Sequence, residues 1–386
     1  GVASGAYAVT LQPNGSPTTG DPNLRLWLDA DDLSTLFQDT GGSTPVTATG
    51  QQVALWKDKS GNSLDVSQTL AADRPDYTAS VTNLNSKPAL FFEGYAGGDD
   101  LEALNSTGIT GNADRTVITV WSNAVNTAQN YQHTFHMGDA TSNEAYGISA
   151  WRGSTGRIGN HYWGAGFDSS AVATALPTVA VAMWDGNGGS GTNGLDSWFV
   201  NGSAAGASDR GALATGASQL RIGSRLSGPT EGIRGDIAEV IVYDSTLTPA
   251  EQNQLGGYLT HKYGLSTSYP HVWLGATGSY TDPTQWSVGT VPTSSDDALI
   301  ASGKANRSSS LVVNGPGSVT VDGTGWLNIS GNLYVGEPAG SDGTFFQDGG
   351  KVTVSGALRL GVASGATGSY TMTDGVLEVG SYIIPG

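Results

Sequence analysis

"LNISGNLYVGEPAGSDGTFFQDGG" (residues 327–350) is followed, after Lys351, by "VTVSGALRLGVASGATGSYTMTDG" (residues 352–375). Aligned, Gly331 meets Gly356, Gly336 meets Gly361, Gly340 meets Gly365 and Gly343 meets Gly368, an offset of 25 residues each time (356 − 331, 361 − 336 and so on). Apolar residues alternate between these glycines. A repeat of this length, with period-two alternation and Gly at the corners, is the pattern of a β-solenoid in which each coil stacks on the one before. Val352, Val354, Leu358 and Leu360 are expected inside the coil, with Gly356 and Gly361 at its turns. A third copy opens at "VLEVGSYIIPG" (376–386), where Leu377 and Val379 repeat Val352 and Val354.

Upstream of residue 271 the pattern changes. "LRLWLDA" (24–30), "PALFFEG" (88–94), "RTVITVWS" (115–122), "TVAVAMWDG" (178–186), "LDSWFVNG" (195–202), "SQLRIGS" (218–224) and "GDIAEVIVYD" (235–244) are short apolar runs. Each is bounded by Gly, Asn, Asp or Pro, which predicts the strands of an antiparallel sandwich. One helix is predicted. Thr248-Pro249-Ala250-Glu251 is a capping box with Pro at the first helical position, Leu255, Tyr258 and Leu259 supply an apolar stripe, and Gly264 is the stop.

Several of these stretches also carry a family resemblance. "LWLDADDLSTL" (26–36), "VALWKDKSGN" (53–62), "PALFFEGYAGGDDLEAL" (88–104) and the closing "GDIAEVIVYDSTLTPAEQNQLGGYLTHKYGL" (235–265) are similar to the laminin-G-like, concanavalin-A-like domains of bacterial secreted proteins. The resemblance covers most of residues 21–266 and implies an all-β jelly-roll of two antiparallel sheets. Function is much less constrained, because this fold hosts lectins, adhesins, hydrolases and lyases. The resemblance further implies one Ca2+ held by loop carboxylates. Asp99 and Asp100 in "GGDDLEAL" and Asp185 in "MWDGNGG" are the candidates. Beyond residue 271, "HVWLGATGSYTDPTQWSVGTVPTSSDDALI" with its spaced Trp273 and Trp286 resembles the opening of the repeat regions of bacterial surface and autotransporter-type proteins. The organisation expected is an N-terminal strand and linker (1–20), a sandwich with a closing helix (21–266) and a β-solenoid (271–386).

The hexapeptide "GVASGA" occurs twice, at residues 1–6 and 361–366. Gly386 falls 25 residues after Gly361, at the glycine that opens this hexapeptide in the previous copy. "AYAVTLQP" (6–13) alternates, with Tyr7, Val9 and Leu11 on one face. The expectation is a head-to-tail homopolymer. The N-terminal strand of one molecule (Gly1, Val2, Val9, Leu11) would complete the last coil of another (Leu377, Val379, Ile383, Ile384, Gly386), satisfying an edge left open. The alternatives are a unit of a longer repetitive protein and an intramolecular return of the N-terminus.

Composition narrows the partners. Among 386 residues, 34 acidic side chains face 17 basic ones, a net charge of −17 that repels nucleic acid and anionic membranes. No run of about 18 apolar residues provides a membrane helix. The absence of cysteine excludes disulfides, thiolate metal sites and thiol catalysis. Abundant Gly, Ser, Thr, Asn and Asp suit an extracellular bacterial surface protein.

Catalytic patterns are weak. The glutamates show no close pair on one strand, and Glu239 and Asp244 fall on opposite faces of theirs. "GRIGNHYWG" offers Arg157, His161 and Tyr162, and "YQHTFH" offers His133 and His136, the ingredients of a lyase, without a spacing that brings them together. A sugar platform is the better expectation: Trp151 and Arg152 in "SAWRGS", with His161, Tyr162 and Trp163 in "NHYWG", combine aromatic faces with polar donors. Trp184 and Trp198 are expected in the core. The sequence therefore points to a non-enzymatic extracellular filament displaying a glycan-binding sandwich. A polysaccharide-binding or adhesin module of a larger secreted protein comes second, and a polysaccharide lyase or hydrolase third.

Overall fold

Side chains along a strand alternate between two faces, and in this chain that alternation separates core from surface almost everywhere. The structure, a computed structural model, describes residues 8–12, 14–94, 98–103, 105–122, 131–152, 155–164, 166–226, 231–275, 277–287, 289–337 and 339–386. The chain forms two units. One comprises the residues up to Thr10, Pro17–Thr248 and Lys262–Thr267; the other comprises Leu11–Ser16, Pro249–His261 and Ser268–Gly386. Most of the closing helix thus groups with the second unit, whereas the sequence had assigned it to the sandwich.

The first unit is the expected all-β jelly-roll. One sheet runs in the order Ser203–Arg210, Gly194–Val200, Thr178–Asp185, Arg115–Ser122, Arg234–Tyr243, Lys87–Glu93, Asp76–Val81, with Leu24–Asp29 also paired to Arg234–Tyr243. The other runs Gly166–Val172, Arg157–His161, Ala145–Arg152, Tyr131–Gly138, Gln219–Ile222, Leu101–Ala103, and ends in three two-residue strands. All these pairings are antiparallel. Leu26, Leu28, Phe92, Val117, Trp184 and Trp198 from the first sheet meet Phe135, Met137, Tyr146, Ile148, Ile158 and Tyr162 from the second in one continuous core.

A buried carboxylate sits in that core. Asp196 is fully enclosed and accepts hydrogen bonds from Tyr146 Oη (3.3 Å), Trp198 Nε1 (3.1 Å), Asn160 Nδ2 (3.3 Å) and the Tyr162 hydroxyl. Four donors satisfy its oxygens, and among the described residues no cation bonds to it directly. Burial pushes its carboxyl up to about 6, against the lowering by those donors. On the Arg234–Tyr243 strand of the same sheet and its partner Leu24–Asp29 lies a charged knot. Lys262 Nζ bridges Asp29 (2.6 Å) and Glu239 (2.9 Å), while Glu239 also accepts from Trp27 Nε1 (2.8 Å) and Tyr263 Oη (2.8 Å).

The helix spans Pro249–Tyr263, with Pro first, Glu251 in the first turn, and Gly264 just beyond its end at φ 61°. Leu255 and Leu259 are buried, and Tyr258 is half-buried.

The solenoid makes about four coils of parallel strands. Ala305, Leu327, Val352 and Leu377 stack in one inward column; Leu311, Leu333, Leu358 and Ile383 stack in another. The last two steps of each column are 25 residues (352 − 327, 377 − 352), as the repeat predicted; the first is 22 (327 − 305), so the opening coil is shorter. Gly336 and Gly361 turn successive coils at φ 71° and 57°, a region that a side chain would strain. Outward columns add their own contacts: Lys304, Trp326 and Lys351 are in register, with the ammonium groups 3.6 and 5.1 Å from the indole. Phe345 and Tyr370 stack at 4.7 Å between coils. Trp273 and Trp286 pack edge to face at 5.1 Å and are buried at the start of this unit.

Asp196 generates a test of the sandwich. Its raised folded value means that the native state holds a proton the unfolded chain releases, so its contribution falls as pH rises from about 4 to about 6. Asp196→Asn keeps the acceptor without the charge. Melting curves should show wild type and variant alike at pH 4, with the variant more stable by up to roughly 3 kcal/mol at pH 8. Equal stability at both pH values would show that ionised Asp196 costs nothing.

Candidate functional site

Gly147 stands in the ladder between two histidines: it pairs with His136 on the Tyr131–Gly138 strand and with His161 on the Arg157–His161 strand. One row along, Ser149 lies between His133 and Gly159. Strands two apart in a sheet are separated by about 9.6 Å, so the rings of His136 and His161 can meet only if the residue between them is small. Gly147 meets that need: a methyl group there would overlap the His136 ring.

His133 and His136 are three apart and belong on opposite faces of a regular strand. The register slips between Ile148/Ser149 and again between Ser149/Trp151, so Phe135 opposes Ile148 while His133 opposes Ser149. This bulge at Thr134 returns His133 to the face of His136. The three rings form a near-equilateral triangle, with centroids 5.1 Å (His133–His136), 5.0 Å (His133–His161) and 5.2 Å (His136–His161) apart.

The hydrogen bonds fix tautomers. The Leu226 amide donates to His136 Nδ1 at 3.1 Å, so neutral His136 carries its proton on Nε2 and donates it to His161 Nδ1 at 3.1 Å. Ser149 Oγ is 3.0 Å from His133 Nδ1. His133 Nε2 is enclosed, has no hydrogen-bond partner among the described residues, and lies 3.6 Å from Glu231 Oε2. Burial, then nearby charge, holds His133 and His136 well below the ordinary imidazole range, and His161 is lowered to about 4 by burial and Arg152. All three rings are neutral at physiological pH.

Half-buried side chains rim the cluster. Tyr131 stacks on His133 at 6.3 Å, and Arg152 lies 5.7 Å over Tyr131 while pairing with Asp168 at 2.7 Å. Trp163 packs 6.0 Å from His161 and 6.1 Å from His136, with Arg225 over its face at 5.0 Å and Glu231 3.1 Å from Arg225. Trp163 sits at φ 61°, a strained conformation for a bulky residue.

Of the expected sugar platform, Arg152, His161 and Trp163 converge here. Tyr162 does not: alternation turns it into the core, where it is fully buried against Asp196. Trp151, just past the second register slip, packs against the core and is half-buried. Their neighbours Tyr131, His133, His136, Arg225 and Glu231 were missing from the platform, because the bulge and the ladder register that collect them leave no mark in the spacing.

The calcium candidates do not fit the ion. Asp100 is buried and bonded by the Arg221 guanidinium, Gln68 and Ser224, so a cation already fills its place. Asp99 accepts from the Glu93 amide at 2.6 Å and is raised to about 6 by burial. Asp185 closes a turn onto the Asn187 amide at 2.9 Å on the other sheet. Among the described residues, the donor set with metal-ligating geometry is the three histidines.

At the solenoid end, Leu377 and Val379 are half-buried against the coil core, Ile384 is half-buried, and Ile383 (54%) and Gly386 are exposed. Val9 is buried within its own chain and Leu11 half-buried. Residues 8–12 contain no strand, contrary to the alternating pattern, and Gly1 and Val2 lie outside the described residues.

No family model and no curated protein matches the chain. Among solved structures, it is similar to domain 4 of AbnA, a GH43 extracellular arabinanase from Geobacillus stearothermophilus in complex with arabinotriose (18% identity, 61% of this chain, 98% of that one, TM-score 0.38). It is also similar to a GH54 α-L-arabinofuranosidase (11%, 62% and 63%, 0.44) and to Trypanosoma rangeli sialidase (14%, 64% and 34%, 0.39). These neighbours are carbohydrate-active enzymes or domains of them. The exclusion of enzymatic activity drawn from the sequence is therefore corrected. Its premise also fails, since residues that the spacing kept apart form one cluster of titratable groups.

Gly147→Ala tests the geometry. The added methyl should push the His136 ring off its stack, break the contact with His161 and destabilise the sandwich by about 1–3 kcal/mol. Histidine NMR shifts and thermal melting report both effects; unchanged His136 and His161 signals would show that the glycine is not required.

Proposed function

We propose that the sandwich binds polysaccharide on the outer face of the Tyr131–Gly138, Ala145–Arg152 and Arg157–His161 strands, with a sugar ring against Trp163. The observation that carries this reading is the strained, half-buried Trp163 beside a polar cluster of His161, Arg225 and Glu231. An indole face takes the apolar side of a pyranose or furanose, and imidazole, guanidinium and carboxylate groups take its hydroxyls. In this reading the chain works outside a bacterial cell, which its cysteine-free, acidic composition suits.

A glycan array followed by calorimetry on the best ligand provides the test. Trp163→Ala should weaken binding by about 1 kcal/mol, roughly fivefold, without unfolding the chain. Tyr162→Phe should leave affinity unchanged and lower stability through the lost bond to Asp196. Affinity insensitive to Trp163, or dependent on Tyr162, would place the site elsewhere.

A second reading concerns the solenoid. We infer that its last coil is a self-association surface completed by the "GVASGA" segment of another copy. The favouring observations are exposed Met372 (44%), Val376 (50%), Tyr382 (60%) and Ile383 (54%) on that coil, and the hexapeptide shared with residues 361–366. Deleting residues 1–6, or Val379→Asp, should abolish filaments in electron micrographs while the sandwich stays folded. Filaments persisting in both variants, or monodisperse wild-type particles, would defeat this reading.

A further inference from the structure

Three of the chain's five histidines meet on one sheet face, and their ligand nitrogens lie within 4.8 Å of one another. We propose that His133, His136 and His161 bind one divalent transition-metal ion of the zinc class. Nothing in this inference depends on the saccharide reading.

The donor chemistry selects the ion. Three imidazoles suit zinc, copper or nickel and give little to calcium or magnesium, which take oxygen ligands. Two nitrogens on one tetrahedral zinc lie about 3.3 Å apart, given Zn–N bonds of about 2.0–2.1 Å; His136 Nε2 and His161 Nδ1 are 3.1 Å apart without an ion. The third ligand is prepared too. With the Nδ1 proton of His133 donated to Ser149 Oγ, 3.0 Å away, a lone pair is left on Nε2, the enclosed nitrogen with no hydrogen-bond partner among the described residues. An oxygen acceptor on the far nitrogen orients a ligating imidazole, and here the Ser149 hydroxyl is in that place. The backbone was shaped for this convergence: a bulge brings His133 round, and a glycine lets two rings cross a strand. Glu231, near His133 Nε2, is the adjacent carboxylate.

One contact must change. To offer Nε2 to a metal, His136 moves its proton to Nδ1, where the Leu226 amide now donates. Metal binding therefore requires that amide to turn away.

The test uses the full chain, stripped with EDTA and titrated with zinc chloride by calorimetry and native mass spectrometry. One ion per chain is expected, with no uptake of calcium. Ser149→Ala should weaken binding roughly 10–100-fold. His161→Ala, at the half-buried rim, should abolish it, and His261→Ala, on the exposed helix surface, should not. Hydrogen exchange at Leu226 should quicken on zinc addition. Should His161→Ala fold poorly, cobalt(II) on wild type keeps the question open to decision: intense visible bands of a tetrahedral site support the proposal, and the weak bands of octahedral cobalt overturn it. Absence of wild-type binding, binding that survives His161→Ala, or uptake without a change at Leu226 also overturns it.

Discussion

Each strand residue has two faces to choose between, and the whole sandwich follows from how that choice is made. On the Tyr131–Gly138 strand, Phe135 and Met137 enter the core while His136 leaves it. On the Arg157–His161 strand and just beyond, Ile158 and Tyr162 enter while His161 leaves. Core and site are thus opposite sides of the same strands. A change of register by one residue would exchange them.

Two register slips between the Tyr131–Gly138 and Ala145–Arg152 strands depart from that rule. The one at Thr134 brings His133 to the histidine face, and the one between Ser149 and Trp151 accompanies the turn of Trp151 towards the core. The polar side chains gathered on the outer face are then desolvated by one another and by their aromatic rim. That desolvation keeps the imidazoles neutral. The same physics acts on Asp196 inside the sandwich, where burial favours the protonated carboxyl. One environment keeps bases neutral and the other shifts an acid towards its neutral form, for the same reason.

The solenoid obeys a simpler constraint. Parallel coils stack residue on residue, so each inward position must be apolar in every coil and each corner must tolerate a left-handed turn. Leu327, Val352 and Leu377 meet the first demand, and Gly336 and Gly361 meet the second. Burial is complete for Leu327 and Val352 and partial for Leu377, because the last coil has a neighbour on one side only among the described residues.

The sequence by itself determined what repeats or alternates. The 25-residue solenoid step, the strands from Leu24 to Tyr243, the capped helix at Pro249 and the core placement of Trp184 and Trp198 all follow from local pattern, which is written in adjacent residues. Arg152, His161 and Trp163 were legible as surface candidates on the same grounds. Tertiary structure alone decided the rest. Whether His133 shares a face with His136 depends on a bulge, and whether both reach His161 depends on Gly147 standing between them in the ladder. Whether Asp100 is free for calcium depends on Arg221, which is 121 residues away. Such contacts are set by which strands pair and in what register, a long-range outcome that no short stretch of this chain encodes.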